Sequence, residues 1–352
     1  MASPRGRSGA LRRLGLPVAT LALGGLAGAA ANFVGVPLAW MLGPLLVIGA
    51  ASGAGLQLAF PTWGRWFGQV VIGGAIGLYF TPPVAALVAE LLPVMVISAA
   101  LLILASAAIA LLVERIGHVD RATAYFASVP GGVAEMAILS QSFGGQVAPV
   151  ALAQSLRILL VVAVVPIAVS LSGAHGESVF RPVDLDFEPL RLVLLLLLAT
   201  GAGYGLFRLR LPNAFMLGAM AISVITAMFE LPLSSIPSPV VSFGQVLLGT
   251  TLGLGFRRDQ IRMLSRFVPL ALAGTVLLLV VATLFAFLIG GLADIDIATM
   301  VLSLAPGGIT EMGITAKILG LGVPLVSAFH VVRIILVVTT TPLLFRLLRW
   351  LR

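Results

Sequence analysis

Cysteine is absent from the 352-residue chain, histidine occurs three times, and charged residues fill only 10% of positions. Without cysteine there is no disulfide framework, no thiolate metal site and no thiol nucleophile. His118, His175 and His330 stand far apart in the chain and do not form the clustered ligand set that a copper or iron oxygenase needs. No nucleophile with its base is recognisable either, so the expectation is no enzyme, no metal and no cofactor. A soluble domain carries roughly a quarter charged residues. Here 60% of residues are hydrophobic and mean hydropathy is +1.14, which leaves too little polar surface to cover such a domain. No polar stretch is long enough to be a separate one.

Net charge is +8 and the isoelectric point near 11.3, but the arginines sit at the ends of apolar runs, where they orient a membrane protein. No basic stripe is interleaved with aromatics, so direct nucleic-acid binding has no surface. What the chain has instead is apolar runs recurring from Leu14 to Phe345, of the roughly 20-residue length that crosses a bilayer. The lipid bilayer is therefore the expected partner. The N-terminus resembles a signal peptide, with Arg5, Arg7, Arg12 and Arg13 before an apolar run and Ala29-Ala30-Ala31 after it. A matching segment at 190–207 favours a retained first transmembrane helix.

The chain repeats itself. A shift of 176 residues lays Phe67-Gly68-Gln69-Val70 on Phe243-Gly244-Gln245-Val246, Asp120 on Asp296, and Thr123 on Thr299. The same shift lays Pro130-Gly131-Gly132-Val133-Ala134-Glu135-Met136 on Pro306-Gly307-Gly308-Ile309-Thr310-Glu311-Met312, Arg157-Ile158 on Arg333-Ile334, and Pro166 on Pro342. With one gap, Met41-Leu42-Gly43 meets Met216-Leu217-Gly218. Composition bias imitates runs of Leu and Val, not Gln, Glu, Arg and Pro at one offset. The division is a first membrane repeat at 1–171, a polar linker at 172–189 and a second membrane repeat at 190–352. The linker holds His175, Glu177, Arg181, Asp184, Asp186 and Glu188. Apolar segments are expected near 16–34, 36–56, 66–80, 91–113, 122–142 and 148–171, then near 190–207, 212–229, 240–256, 267–291, 298–316 and 324–345.

Basic residues prefer cytoplasmic loops. They mark the N-terminus, Arg65 and the Arg115–Arg121 loop in the first copy. In the second they mark Arg208 and Arg210, the loop from Arg257 to Arg266, and Arg346, Arg349 and Arg352. The matching first-copy loops, at 34–36 and 80–90, carry no base, and the counterpart of Arg115–Arg121 carries Asp294 and Asp296. Charge alternates in opposite phase, which predicts an all-α polytopic fold of two inverted-topology repeats, about five to six helices each. Both termini are then cytoplasmic. Inversion needs an odd number of crossings per copy, and the Pro-Gly-Gly segment is the candidate for the re-entrant one, because Pro and Gly break helices. Lys317 is then cytoplasmic as well.

Such repeats with broken helices build transporter sites near the midplane, from half-helix ends and unwound backbone. The breaks are Pro130, Gly131 and Gly132, and Pro306, Gly307 and Gly308. Glu135 and Glu311, three residues after each Gly-Gly pair, are intramembrane acids, hence candidates for binding a coupling H⁺ or Na⁺; the alternative is that they neutralise Arg157 and Arg333. Those two arginines suit a carboxylate-bearing substrate, and Gln154 and His330 lie three residues earlier on the same face. Gln69 and Gln245 serve as polar glue or as ligands, and Asp120 and Asp296 as helix N-caps. Thr310 in place of Ala134, and Lys317 in place of Gln141, make the site asymmetric.

The paired Pro-Gly-Gly-x-x-Glu-Met motifs, each followed by an arginine, resemble the AbrB family of duplicated bacterial membrane proteins over nearly the whole chain. They are also distantly similar to the cation:proton antiporter and anion transporter superfamily. The second resemblance implies inverted repeats of about five helices in which the broken helices themselves cross the membrane. Names attached to the AbrB family include regulator of gene expression and ammonia monooxygenase; the scattered histidines fit the latter poorly. The small soluble DNA-binding AbrB regulators are a different fold. The expectation is an inner-membrane secondary transporter of a small organic anion or related metabolite, coupled to H⁺ or Na⁺, with room for a homo-oligomer. The alternative is a non-transporting membrane protein that regulates gene expression.

Overall fold

The computed structural model describes residues 5–174, 180, 185–229, 231, 233–256, 258, 262, 264 and 266–350. Among the described residues there are fifteen helices and no strand. His175, Glu177, Arg181 and Asp184 of the linker lie outside the described residues, as do Arg257, Arg352 and the side chains of Arg5, Arg7, Arg12, Arg13 and Arg349.

The first copy runs α1 (Arg5–Phe33), α2 (Ala39–Ala54), α3 (Trp63–Gly77), α4 (Pro82–Glu90), α5 (Leu92–Gly117), α6 (Arg121–Ser128), α7 (Val133–Ser142) and α8 (Val147–Leu171). The second runs α9 (Pro189–Arg208), α10 (Ala214–Met228), α11 (Ser238–Gly253), α12 (Phe267–Ala293), α13 (Ile297–Leu304), α14 (Ile309–Leu319) and α15 (Val323–Trp350). Helix boundaries follow the 176-residue shift: α6 moved by it lands on α13, and the first residues of α7 and α8 land on those of α14 and α15. His118 and Asp294, matched by that shift, both stop their helices in the left-handed region, at φ 48° and 52°.

Among the described residues six helices are long and apolar enough to cross a membrane: Gly15–Phe33, Leu92–Gly117, Val147–Leu171, Pro189–Arg208, Phe267–Ala293 and Val323–Leu347. Shorter apolar helices, α2 and α10, pack beside them. This is a multi-pass membrane protein by length and composition. Its outer face agrees: Leu190, Leu197 and Leu284 are 81%, 65% and 61% exposed, a cost in water but not against lipid. One expected loop is instead a helix. Residues 82–90 form α4, whose two prolines at the start need no intrahelical donor, and α4 turns 93° from α3.

Packing crosses the copies. α3 lies on α10 and α2 on α11, the exchange expected of two related halves, while α5 meets α12 and α3 meets α11. Glycines permit these contacts. A β-carbon on Gly43 would strike the Ala27 carbonyl, and one on the matching Gly218 would strike the Gly203 backbone, so α1–α2 and α9–α10 are close crossings of the small-residue kind.

Candidate ligand cavity between two broken helices

Each broken segment is built by its own sequence. Asp120 opens α6 by accepting from the Thr123 backbone N–H at 2.8 Å, and Asp296 opens α13 by accepting from the Thr299 N–H at 2.7 Å, each satisfying a donor the helix leaves free. The threonine hydroxyls then accept from the backbone N–H groups of Gln146 (2.7 Å) and Gly322 (3.2 Å), fixing the start of the following long helix. α6 stops at Ser128 and α13 at Leu304, because Pro130 and Pro306 lack the N–H that would continue them. After an extended stretch, Gly132 and Gly308 are the N-caps of α7 and α14.

The arginines stitch these breaks. Arg157 on α8 donates to the carbonyls of Val129 (3.4 Å) and Gly131 (3.0 Å); Arg333 on α15 donates to those of Ala305 (2.6 Å) and Gly307 (2.5 Å). These carbonyls close the carboxyl ends of the first half-helices, where a cation is favoured. Gln154 works beside Arg157: it donates to Phe126 and Val129 carbonyls at 2.8 Å each and accepts from Arg157 Nη1 at 2.5 Å. His330 does not repeat this; its Nδ1 lies 2.8 Å from the Val326 carbonyl and its Nε2 is buried without a partner. Both arginines are 4% exposed, and in both the Nε–H has no partner.

The acids form no ion pair with them among the described residues. Among the described residues neither Glu135 nor Glu311 comes within 4 Å of either guanidinium; the ion pair there is Arg121–Glu114 at 3.1 Å. Each carboxylate folds back over its own N-cap glycine instead, Glu135 on Gly132 and Glu311 on Gly308. An acid in the first turn, beside the free N–H groups, is the arrangement of a capping box. The two acids differ in depth: Glu311 is 7% exposed, whereas Glu135 is half-buried.

A cavity of about 70 Å³ lies where the two breaks meet. Its walls include Pro130, Gly131, Gly132, Gly307 and Gly308 from the breaks, Arg157 and Arg333 from the long helices, and Thr310 and Glu311 from the first turn of α14. The structure thus gathers both breaks, both arginines and Glu311 of the expected site, and leaves Glu135, Gln154, His330 and Pro306 off its lining. Gln69, expected as polar glue or as a ligand, lines the cavity too, and Arg65 and Asn213 join it without having been expected there. Arg65 in the first turn of α3 is exposed at the rim, and Gln69, one turn on, donates to Asn213 Oδ1 at 3.2 Å. Asn213 starts α10 at φ 50°, a backbone that asparagine tolerates better than most residues. The matching Gln245 keeps a buried Oε1 with no partner. The one available signal was proximity of Arg65 to the repeated Phe-Gly-Gln-Val block.

The model of the AbrB family, described as transition state regulatory protein AbrB, matches residues 40–349. The chain belongs to this family. It is 28% identical to "Uncharacterized protein YhjN" of Bacillus subtilis (strain 168), over 93% of this chain and 92% of that one. It is 27% identical to "Putative regulator AbrB" of Escherichia coli (strain K12), over 89% and 90%. No solved structure matches. The AbrB-family match takes in both breaks, both arginines and the whole cavity lining.

Proposed function

We propose that this AbrB-family protein is an inner-membrane secondary transporter of a small organic anion or related metabolite, coupled to H⁺ or Na⁺, and not an enzyme. One observation carries the reading: two buried guanidiniums line a single cavity between two helix breaks, with no carboxylate within 4 Å of either among the described residues. An uncompensated buried charge costs several kcal/mol, which an anionic ligand offsets. The first turns of α7 and α14 border the same space, and helix N-termini favour anions. Arg65 at the rim draws anions inward.

In this reading Glu311 is the acid that shares the cavity and binds the coupling ion, with Glu135 its partner at the other break. The copies are inverted, the termini are cytoplasmic, and the Gly-rich breaks supply hinges. Labelled organic acids offered to proteoliposomes under an imposed proton or sodium gradient test it. Gradient-driven uptake that falls to background in the Glu135→Gln/Glu311→Gln variant is the expected result; uptake unchanged in that variant sinks the coupling role. The name of the Escherichia coli relative, a regulator, favours a second reading, a membrane protein that acts on gene expression. A transported metabolite that alters expression joins the two; a protein partner captured only in the presence of one metabolite separates them.

A further inference from the structure

The two repeats each contribute one half of the cavity's cationic lining, and the halves are alike. Arg157 and Arg333 occupy equivalent positions, each uses its two terminal nitrogens on the carbonyls of its own break, and each keeps an Nε–H that is buried and unpartnered. The two guanidiniums line one cavity from matched places in the two repeats. Arg65 adds a third guanidinium at the exposed rim of the same cavity. Against these three cations the described lining holds one carboxylate, Glu311. With Glu311 ionised and no coupling ion on it, the described lining carries two positive charges more than negative.

We infer that the ligand of this cavity is a short-chain dicarboxylate dianion, one carboxylate beside Arg157 and the other beside Arg333. The inference rests on the anion-binding part of the proposed function and narrows it. A two-ended ligand matches a two-halved site, and a charge of minus two matches the surplus. Size agrees. A water needs roughly 10–15 Å³ of such space, so 70 Å³ holds about five to seven water-sized groups, close to the heavy-atom count of the shortest diacids.

The test uses the purified full-length protein in detergent, with thermal unfolding read against concentration. The probes are oxalate, malonate and succinate, the monocarboxylates acetate, propionate and butyrate, and sulfate and phosphate. A ligand that binds only the folded state raises the melting temperature by mass action. The expected result is stabilisation by at least one diacid at a tenfold lower concentration than the monocarboxylate of equal length. Arg157→Gln and Arg333→Gln are each expected to raise the Kd at least tenfold, about 1.4 kcal/mol. Because either arginine variant can fail to fold, Arg65→Gln at the exposed rim is the second variant, expected to weaken the diacid while leaving unliganded stability unchanged. Equal effects of butyrate and succinate, binding of sulfate or phosphate without any diacid, or no stabilisation by any probe overturns the dicarboxylate assignment. Gradient-driven uptake of some other solute after such a failure leaves the transporter reading standing. Diacid binding with no uptake sinks the transporter reading and keeps this one.

Discussion

The carboxylate of Glu311 lies where a β-carbon on Gly308 would stand. The glycine is required by the acid, and an acid in the first turn is favoured there by the helix dipole. The same relation holds between Glu135 and Gly132, but Glu311 is enclosed and Glu135 is half-buried. Gly308→Ala therefore pushes a buried acid into packed surroundings, an overpacking that costs about 1–3 kcal/mol. Gly132→Ala displaces a carboxylate with room to swing, and costs less than about 1 kcal/mol. Thermal unfolding of the two variants side by side checks the order; equal losses contradict it.

Arg333→Lys keeps the charge and loses the fork. A lysine ammonium cannot hold the Ala305 and Gly307 carbonyls together as the guanidinium does, so one buried acceptor is left unsatisfied. The expected loss is about 1–3 kcal/mol, read as a lower melting temperature without ligand.

Asp296→Ala removes a cap and nothing from the cavity. The Thr299 N–H loses its acceptor, and losses of this kind run about 0.5–2 kcal/mol. Stability falls, while the concentration of anion that half-saturates the protein stays as in the unsubstituted chain. A changed affinity contradicts the separation of cap from cavity.

Close crossings are the least tolerant places. Gly218→Leu at the α9–α10 contact drives a side chain into the Gly203 backbone, which cannot yield as a side chain does. Folded protein in detergent extracts is expected to fall sharply, with Gly25→Leu as the control, since a β-carbon at Gly25 meets nothing within 4 Å.

Much of this architecture is legible in the sequence because the duplication prints each feature twice. Pro130 and Pro306 mark the ends of α6 and α13, and Asp120 and Asp296 mark their starts, each by a local backbone rule that needs no tertiary knowledge. The predicted segment edges fall within a few residues of the helices, α1 and α15 excepted, which run further towards the termini. What the sequence does not print is distance between segments. Arg65 and Asn213 reach the cavity only because α3 and α10 pack together beside the α14 break, and neither has a like residue at its repeat-matched place: Val241 answers Arg65, and Leu38 answers Asn213 across the gap. Repetition also misleads. It gave Glu135 and Glu311 one role, whereas burial separates them, and it set His330 beside Gln154, whereas only Gln154 bonds to the break.

The absence of cysteine makes the central claim, a solvent-reached anion site between the two breaks, open to direct test. Thr310→Cys places a single thiol on the cavity wall with little change in volume. Membranes carrying this variant are treated from either side with a membrane-impermeant thiol reagent, with and without the stabilising anion. The account predicts labelling from one side and protection by that anion at the concentration that stabilises the protein. Labelling that the anion does not slow, or a thiol unreactive from both sides until the protein is unfolded, contradicts it.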